Sequence, residues 1–318
     1  MKKLLSALVL ALVLTGCTAK PEPVEPEVTA TPEPVEELAD ISILGPSGAP
    51  SLPLIPALKE GMDVTIVEGP DVLQAAFVNP EPQYDVIVAP SNLGAKLASA
   101  GKTTYTMESV LTWGNLYLVA TSEEALQNPV QFAAFGEQAV PGMVLNEVLK
   151  ANAMDPEITW YPSVGEVQGA LLSGKADVAL MAEPAVTATM AKAKEKDMEL
   201  KVVMDLQKEW AKVSGTEGYP QAALFVRSDL DHDKDEAVEA LVENMEAYIE
   251  AAQADPAMIE ADINAITPEV LGVPNGKIIS KVWPKMNIRI VDADDVEDEL
   301  LAFLKLFGIE DLSNVIDD

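Results

Sequence analysis

The stretch LGPSGAPSLPLIPALKEG, residues 44–61, puts Ser47, Gly48 and Ala49 in a turn and follows them with Pro50, Pro53 and Pro56 at intervals of three. Glycine and serine allow close backbone approach, and proline is tolerated where a helix starts, because N–H groups there have no internal partner. An apolar ISIL segment leads in, so the pattern reads strand, small-residue turn, helix start. Such a turn either reverses the chain or grips a small molecule with backbone donors. Other chemistry has less to work with. The single cysteine, Cys17, and the single histidine, His232, allow neither an internal disulfide nor a Cys/His metal cluster. His232 lies in SDLDHDKDEAVEA, a polar turn capping an acidic helix, and the Asp-x-Asp-x-Asp spacing there lacks the glycine and glutamate of a calcium-binding loop. Carboxylates are plentiful, so an Asp/Glu pair stays open as a general acid and base.

The elements that must position these residues begin with the ends of the chain. MKKLLSALVLALVLTGC carries Lys2 and Lys3, an apolar run to Leu14, and then Leu14-Thr15-Gly16-Cys17. The run is a secretory leader, too short to stay as a membrane-spanning helix. Residues 1–16 are therefore expected to be a signal peptide. The Pro/Glu-rich segment 17–40 reads as an extended, self-repelling tether with almost nothing to bury. The chain from residue 41 onward exceeds the usual size of one core, so two lobes are expected. With 52 acidic against 21 basic residues the net charge is −31, a surface that repels nucleic acid and anionic lipid. Only Arg227 and Arg289 are arginines.

Two stretches share one plan. VTIVEGPDVLQAAFVNPEPQYDVIVAP (64–90) and ITWYPSVGEVQGALLSGKADVALMAEP (158–184) each read as strand, small-residue turn, helix, polar turn and Asp-Val followed by apolar residues and a proline. Asp85 and Asp177 occupy matching positions, Ser163 and Glu166 form a capping box, and Gly174 stands at a helix C-cap. The segments ahead of them, 41–61 and 130–154, match as well, with Gly136 in the turn and Pro141 at the helix start. Each half thus carries a βαβαβ unit, which predicts parallel sheets flanked by helices, with ligands bound beyond the carboxyl ends of the strands. The turn after Leu44 becomes one wall of a site between lobes, its N–H groups free and facing inward.

The lipobox-like ending at Cys17, the acidic tether, GPSGAPSLPLIPAL, YDVIVAP, GKADVALMAEP and EGYPQAALFV, in this order, resemble substrate-binding lipoproteins of ABC importers, within the branch of nitrate, sulfonate, taurine and thiamine-precursor binders. The resemblance runs over about residues 41–310. It implies an α/β fold of the type II periplasmic-binding class: two lobes, two crossover hinges near Leu118–Ser122 and Gln221–Phe225, and C-terminal helices from about Lys234 returning to the first lobe. The first lobe would comprise 41–120 plus 222–318 and the second 121–221. It implies lipidation of Cys17, a location on the extracytoplasmic face of the cell membrane, an ABC permease as partner, no cofactor, no metal, and a monomer. Carried over by position, the ligand contacts fall on Ser47, Gly48, Ala49 and Ser51; on Pro90, Ser91 and Asn92; and on Trp113, Asn115 and Tyr117. In the second lobe they fall on Gly136, Glu137, Gln138, Ala139 and Glu183, with Tyr219 and Gln221 completing the set. Trp113 and Tyr117 fit core packing as well, and Glu183 fits a structural carboxylate held by backbone N–H groups. The absence of arginine near these turns disfavours a dianion. A heteroaromatic or amine-bearing solute suits the available Trp, Tyr, Asn, Gln and carboxylate groups, and a small monoanion stays open. A small-molecule enzyme on the same fold and a surface adhesin or scaffold remain the alternatives.

Overall fold

The computed structural model describes residues 40–127 and 131–317. The expected signal peptide, Cys17 and nearly all of the tether lie outside the described residues. Eleven strands are described: β1 (Ser42–Pro46), β2 (Asp63–Val67), β3 (Val86–Pro90), β4 (Tyr105–Thr112), β5 (Leu116–Ala120), β6 (Phe132–Phe135), β7 (Ile158–Tyr161), β8 (Val178–Ala182), β9 (Lys201–Asp205), β10 (Ala222–Arg227) and β11 (Ile288–Asp292). They form two sheets, in the orders β11-β4-β10-β3-β1-β2 and β7-β6-β8-β5-β9.

The repeat legible in the sequence is the parallel part of each sheet. β1 pairs in parallel with β2 and β3, and β6 pairs in parallel with β7 and β8. Central strands buried on both faces read as continuous apolar runs, as Val86–Ala89 and Val178–Met181 do. The sheets are mixed rather than wholly parallel. β10 enters the first sheet antiparallel to β3 and β4, and β5 enters the second antiparallel to β8 and β9. Each sheet therefore receives a strand that adjoins a crossover.

The crossovers lie earlier than the sequence suggests. β4 ends at Thr112 in the first sheet and β5 begins at Leu116 in the second, so the first passage is Trp113–Asn115 and not Leu118–Ser122. The second passage is 215–221, between the helix Leu206–Ser214 and β10. The apolar run through Leu116–Ala120 hides the break, which is marked instead by Gly114 at φ 91°. The two passages touch. A Cβ on Gly114 would sit 2.6 Å from the Tyr219 ring, and one on Gly218 (φ 89°) would overlap the Trp113 carbonyl oxygen. The Gln221 N–H donates to Thr112 O at 2.9 Å.

Capping signals fall where expected. Ser163 Oγ accepts the Glu166 N–H at 3.3 Å, and Asp231 Oδ1 accepts the Lys234 N–H at 3.1 Å at the head of the helix His232–Ala254. That helix returns to the first lobe, packing Val238, Leu241 and Met245 against Ile43, Val86 and Val88. Asp85 is buried at the foot of β3, where it accepts the Ser42 N–H at 2.9 Å and pairs with Lys234 at 2.8 Å and Arg227 at 3.6 Å. Burial alone would raise its pKa, but the Lys234 and Ser42 hydrogen bonds hold the carboxyl below its ordinary value.

Candidate functional site

A cleft of about 790 Å³ opens where the carboxyl ends of the strands of both sheets meet. Its first-lobe wall is the turn Ser47–Pro50 together with the strip Gly272–Asn275 and Ile278. Its floor is Asn115, Leu116 and Gln221, from β5 and the two crossovers. Its second-lobe wall comes from the end of β6 (Phe135), the helix Val164–Leu172 (Val164, Gly165, Gln168), the end of β8 (Ala182, Glu183) and the helix Ala185–Glu195. The lining is mostly small and apolar, with the charged side chains of Lys192 and Glu195 exposed at its edge.

Six residues picked out from the sequence line this cleft: Ser47, Gly48, Ala49, Asn115, Glu183 and Gln221. Around the floor they form a chain of contacts. Asn115 Nδ2 donates to the Glu183 carbonyl at 2.9 Å, the Glu183 N–H donates to the Asn115 carbonyl at 2.9 Å, and Gln221 Nε2 donates to Asn115 Oδ1 at 3.0 Å. The crossovers and the end of β8 are thereby tied together. The Glu183 side chain is only 2% exposed. Its two carboxylate oxygens accept the Thr187 N–H at 3.1 Å and the Thr187 hydroxyl at 2.9 Å, at the first turn of the helix Ala185–Glu195.

The opening turn differs from expectation. Its donors are not free: the Ser47 N–H goes to Val67 O and the Gly48 N–H to Leu271 O, both at 2.8 Å. Gly48 has φ 96°, which glycine alone adopts without strain. Ser51 is fully buried, with its hydroxyl 2.8 Å from Gly48 O and 3.2 Å from Leu271 O.

The other expected contacts lie elsewhere. Ser91 is buried and donates its hydroxyl to Pro220 O at 2.6 Å; its neighbours Pro90 and Asn92 do not line the cleft either. Trp113 is core: its indole N–H donates to Arg289 O at 3.2 Å, and the Arg289 guanidinium lies 4.4 Å from the ring centre. Tyr219 is fully buried and donates its hydroxyl to Gln207 Oε1 at 2.8 Å. Tyr117 faces a second groove, which Glu183 also lines, and donates to Lys285 O at 3.1 Å. Burial and the nearby Asp205 and Glu183 carboxylates push its hydroxyl above the ordinary range. Gly136, Glu137, Gln138 and Ala139 form a closed turn in which Gly136 O accepts the Ala139 and Gly142 N–H groups at 2.9 and 3.0 Å; only the flanking Phe135 and Pro141 reach the cleft. His232 is exposed, 3.4 Å from Glu236.

Sequence reasoning missed Gln168, Lys192, Glu195 and the strip 272–278. A signal for the strip exists: TPEVLGVPNG repeats the Pro/Gly/small composition of the opening turn and packs on it, with Gly272 against Ser47. Among the described residues no group of His, Cys, Asp and Glu is arranged to hold a metal ion.

A model of the prokaryotic membrane lipoprotein lipid attachment site matches residues 1–18. No curated protein sequence matches the chain. Solved structures do match it in fold. An ABC transporter structure from Parabacteroides distasonis superposes with a TM-score of 0.71 at 20% identity, covering 88% of this chain and 99% of that one. The periplasmic aliphatic sulphonate binding protein of Escherichia coli does so with a TM-score of 0.64 at 13% identity, covering 87% and 97%. The zinc-bound ligand-binding component of an ABC-type import system from Staphylococcus aureus gives 0.61 at 13% identity, covering 87% and 96%. The fold is that of the periplasmic binding proteins, and the lipid-attachment site gives the chain a lipid-anchored, extracytoplasmic location.

Proposed function

We propose that this chain is the solute-binding lipoprotein of an ABC importer, holding a small organic molecule between its lobes and delivering it to a membrane permease. The observation that carries the reading is the cleft at the strand ends of both sheets, floored by two short crossovers that touch each other. A ligand held there contacts both lobes at once, so its binding free energy favours the closed arrangement. The lipid-attachment site supports the reading, because it keeps the binder beside a permease in the same membrane. The role is binding rather than catalysis. The solute is a small heteroaromatic or amine-bearing molecule, favoured by an apolar lining with amide groups and one buried carboxylate.

The test is to recover the small molecules released from the purified, denatured protein, add the candidate back, and follow both the protein and the solute. A binder becomes more compact in X-ray scattering and returns the solute unchanged. Conversion of the solute to a product would replace this reading with that of an enzyme on the same fold.

A further inference from the structure

We infer that the cleft is built for an organic cation with nitrogen-borne hydrogens and turns oxyanions away, an inference that rests on the binder reading above. Several of the donors that an oxyanion would use are already spent on the chain itself. Ser47 and Gly48 give their N–H groups to Val67 O and Leu271 O. The helix Val164–Leu172 has its Glu166 N–H on Ser163 Oγ, and the helix Ala185–Glu195 gives the Thr187 N–H and hydroxyl to Glu183. A helix start attracts an anion through its open N–H groups, and at each of these two helices a side-chain acceptor occupies one of them. The cation among the lining residues is Lys192, exposed at the edge and 3.4 Å from Gln168 Oε1.

The acceptors, in contrast, are left unmatched. Glu183 is buried, yet among the described residues no Lys, Arg or His lies within ion-pair distance of it. A buried carboxylate without a counter-charge is costly, and each of its oxygens accepts only one hydrogen bond, so both keep capacity for a donor. The floor amides add a second acceptor. The Glu183 carbonyl can only accept, which turns Asn115 Nδ2 towards it and Asn115 Oδ1 towards Gln221. Gln221 must then present Nε2 to Asn115, and its Oε1 is left buried without a partner. A protonated nitrogen supplies the missing counter-charge of Glu183 and hydrogens for unfilled acceptors. A sulfonate or carboxylate supplies neither and meets Glu183 as a like charge.

The experiment uses a bacterial small-molecule extract divided by ion exchange into cationic, neutral and anionic fractions. Each fraction is equilibrated with the detergent-solubilised full chain, and the compounds retained after dialysis are identified by mass spectrometry. The expected result is retention from the cationic fraction that falls about 30-fold or more in Glu183→Gln, the scale for a lost buried charge partner. Retention only from the anionic or neutral fraction, or undiminished retention by Glu183→Gln, overturns the charge assignment while leaving the binder reading in place. Retention of nothing by the wild type overturns both. Should Glu183→Gln fail to fold, the fraction that the wild type retains decides.

Discussion

Asp85 and Glu108, both in the first lobe, respond to pH in opposite directions. Asp85 has its folded pKa below the ordinary 3.8, so its stabilisation is present above that value and is lost as pH falls through the lower, folded pKa. Asp85→Asn should cost about 2 kcal/mol at pH 7, the scale of a charge-assisted hydrogen bond left unmade. The deficit should shrink in strong acid, as chemical denaturation at both pH values would show. Glu108 is pushed above its ordinary 4.5 by partial burial and by the carboxylates of Asp292, Asp294, Asp317 and Glu239. Its ionised form is disfavoured on folding, so its contribution is present below 4.5 and is lost as pH rises through the folded value. Glu108→Gln should therefore be slightly more stable than wild type at pH 7 and indistinguishable from it well below pH 4.5. The surrounding protein crowds the carboxyl, but the residue keeps broad access to solvent, so the gain is small and fades with added salt.

Among the elements, the crossovers make the sharpest prediction. Gly114→Ala combines a positive φ with a Cβ driven into the buried Tyr219 ring, and should cost about 2–4 kcal/mol in urea denaturation. Gly61→Ala, at φ 78° with open space around the new Cβ, carries the backbone cost alone, about 1 kcal/mol. Equal losses would mean that Tyr219 yields freely and that the crossovers are not packed on one another. The local elements were legible because their signals are local: the caps at Ser163 and Asp231, the turn glycines, and the buried runs of β3 and β8. What escaped the sequence is decided across long separations. Nothing between residues 44 and 61 announces that the Leu271 carbonyl will take the Gly48 N–H, or that Trp113 will lie beneath Arg289. The same holds for β5, whose five buried residues suit either sheet and whose place is fixed by its pairing with β8 and β9.

At the scale of the whole molecule, closure and anchoring can be measured directly. The retained solute at a hundred times its Kd should add about 2.7 kcal/mol to unfolding and reduce the radius of gyration. Tight binding without compaction would confine the site to one lobe. Cys17→Ser should abolish labelling by a palmitate analogue, and labelling that persists would remove the anchor. The strand order also has a consequence for how the protein is made. Strands β5 to β9 follow one another without interruption, so the second sheet has all its strands once Asp205 has emerged. The first sheet cannot close then. β10 must still slot between β3 and β4, β11 must cover the outer edge of β4, and the Met107 N–H waits for the carbonyl of Val315. During export, N-terminus first, β3 is therefore left with an unpaired edge until Arg227 has crossed, and the outer edge of β4 stays open until Asp292 has. Edges of that kind invite pairing with other chains. Biogenesis is where this topology is exposed to aggregation, and a chain stopped short of β10 should be cleared by proteolysis rather than persist in truncated form.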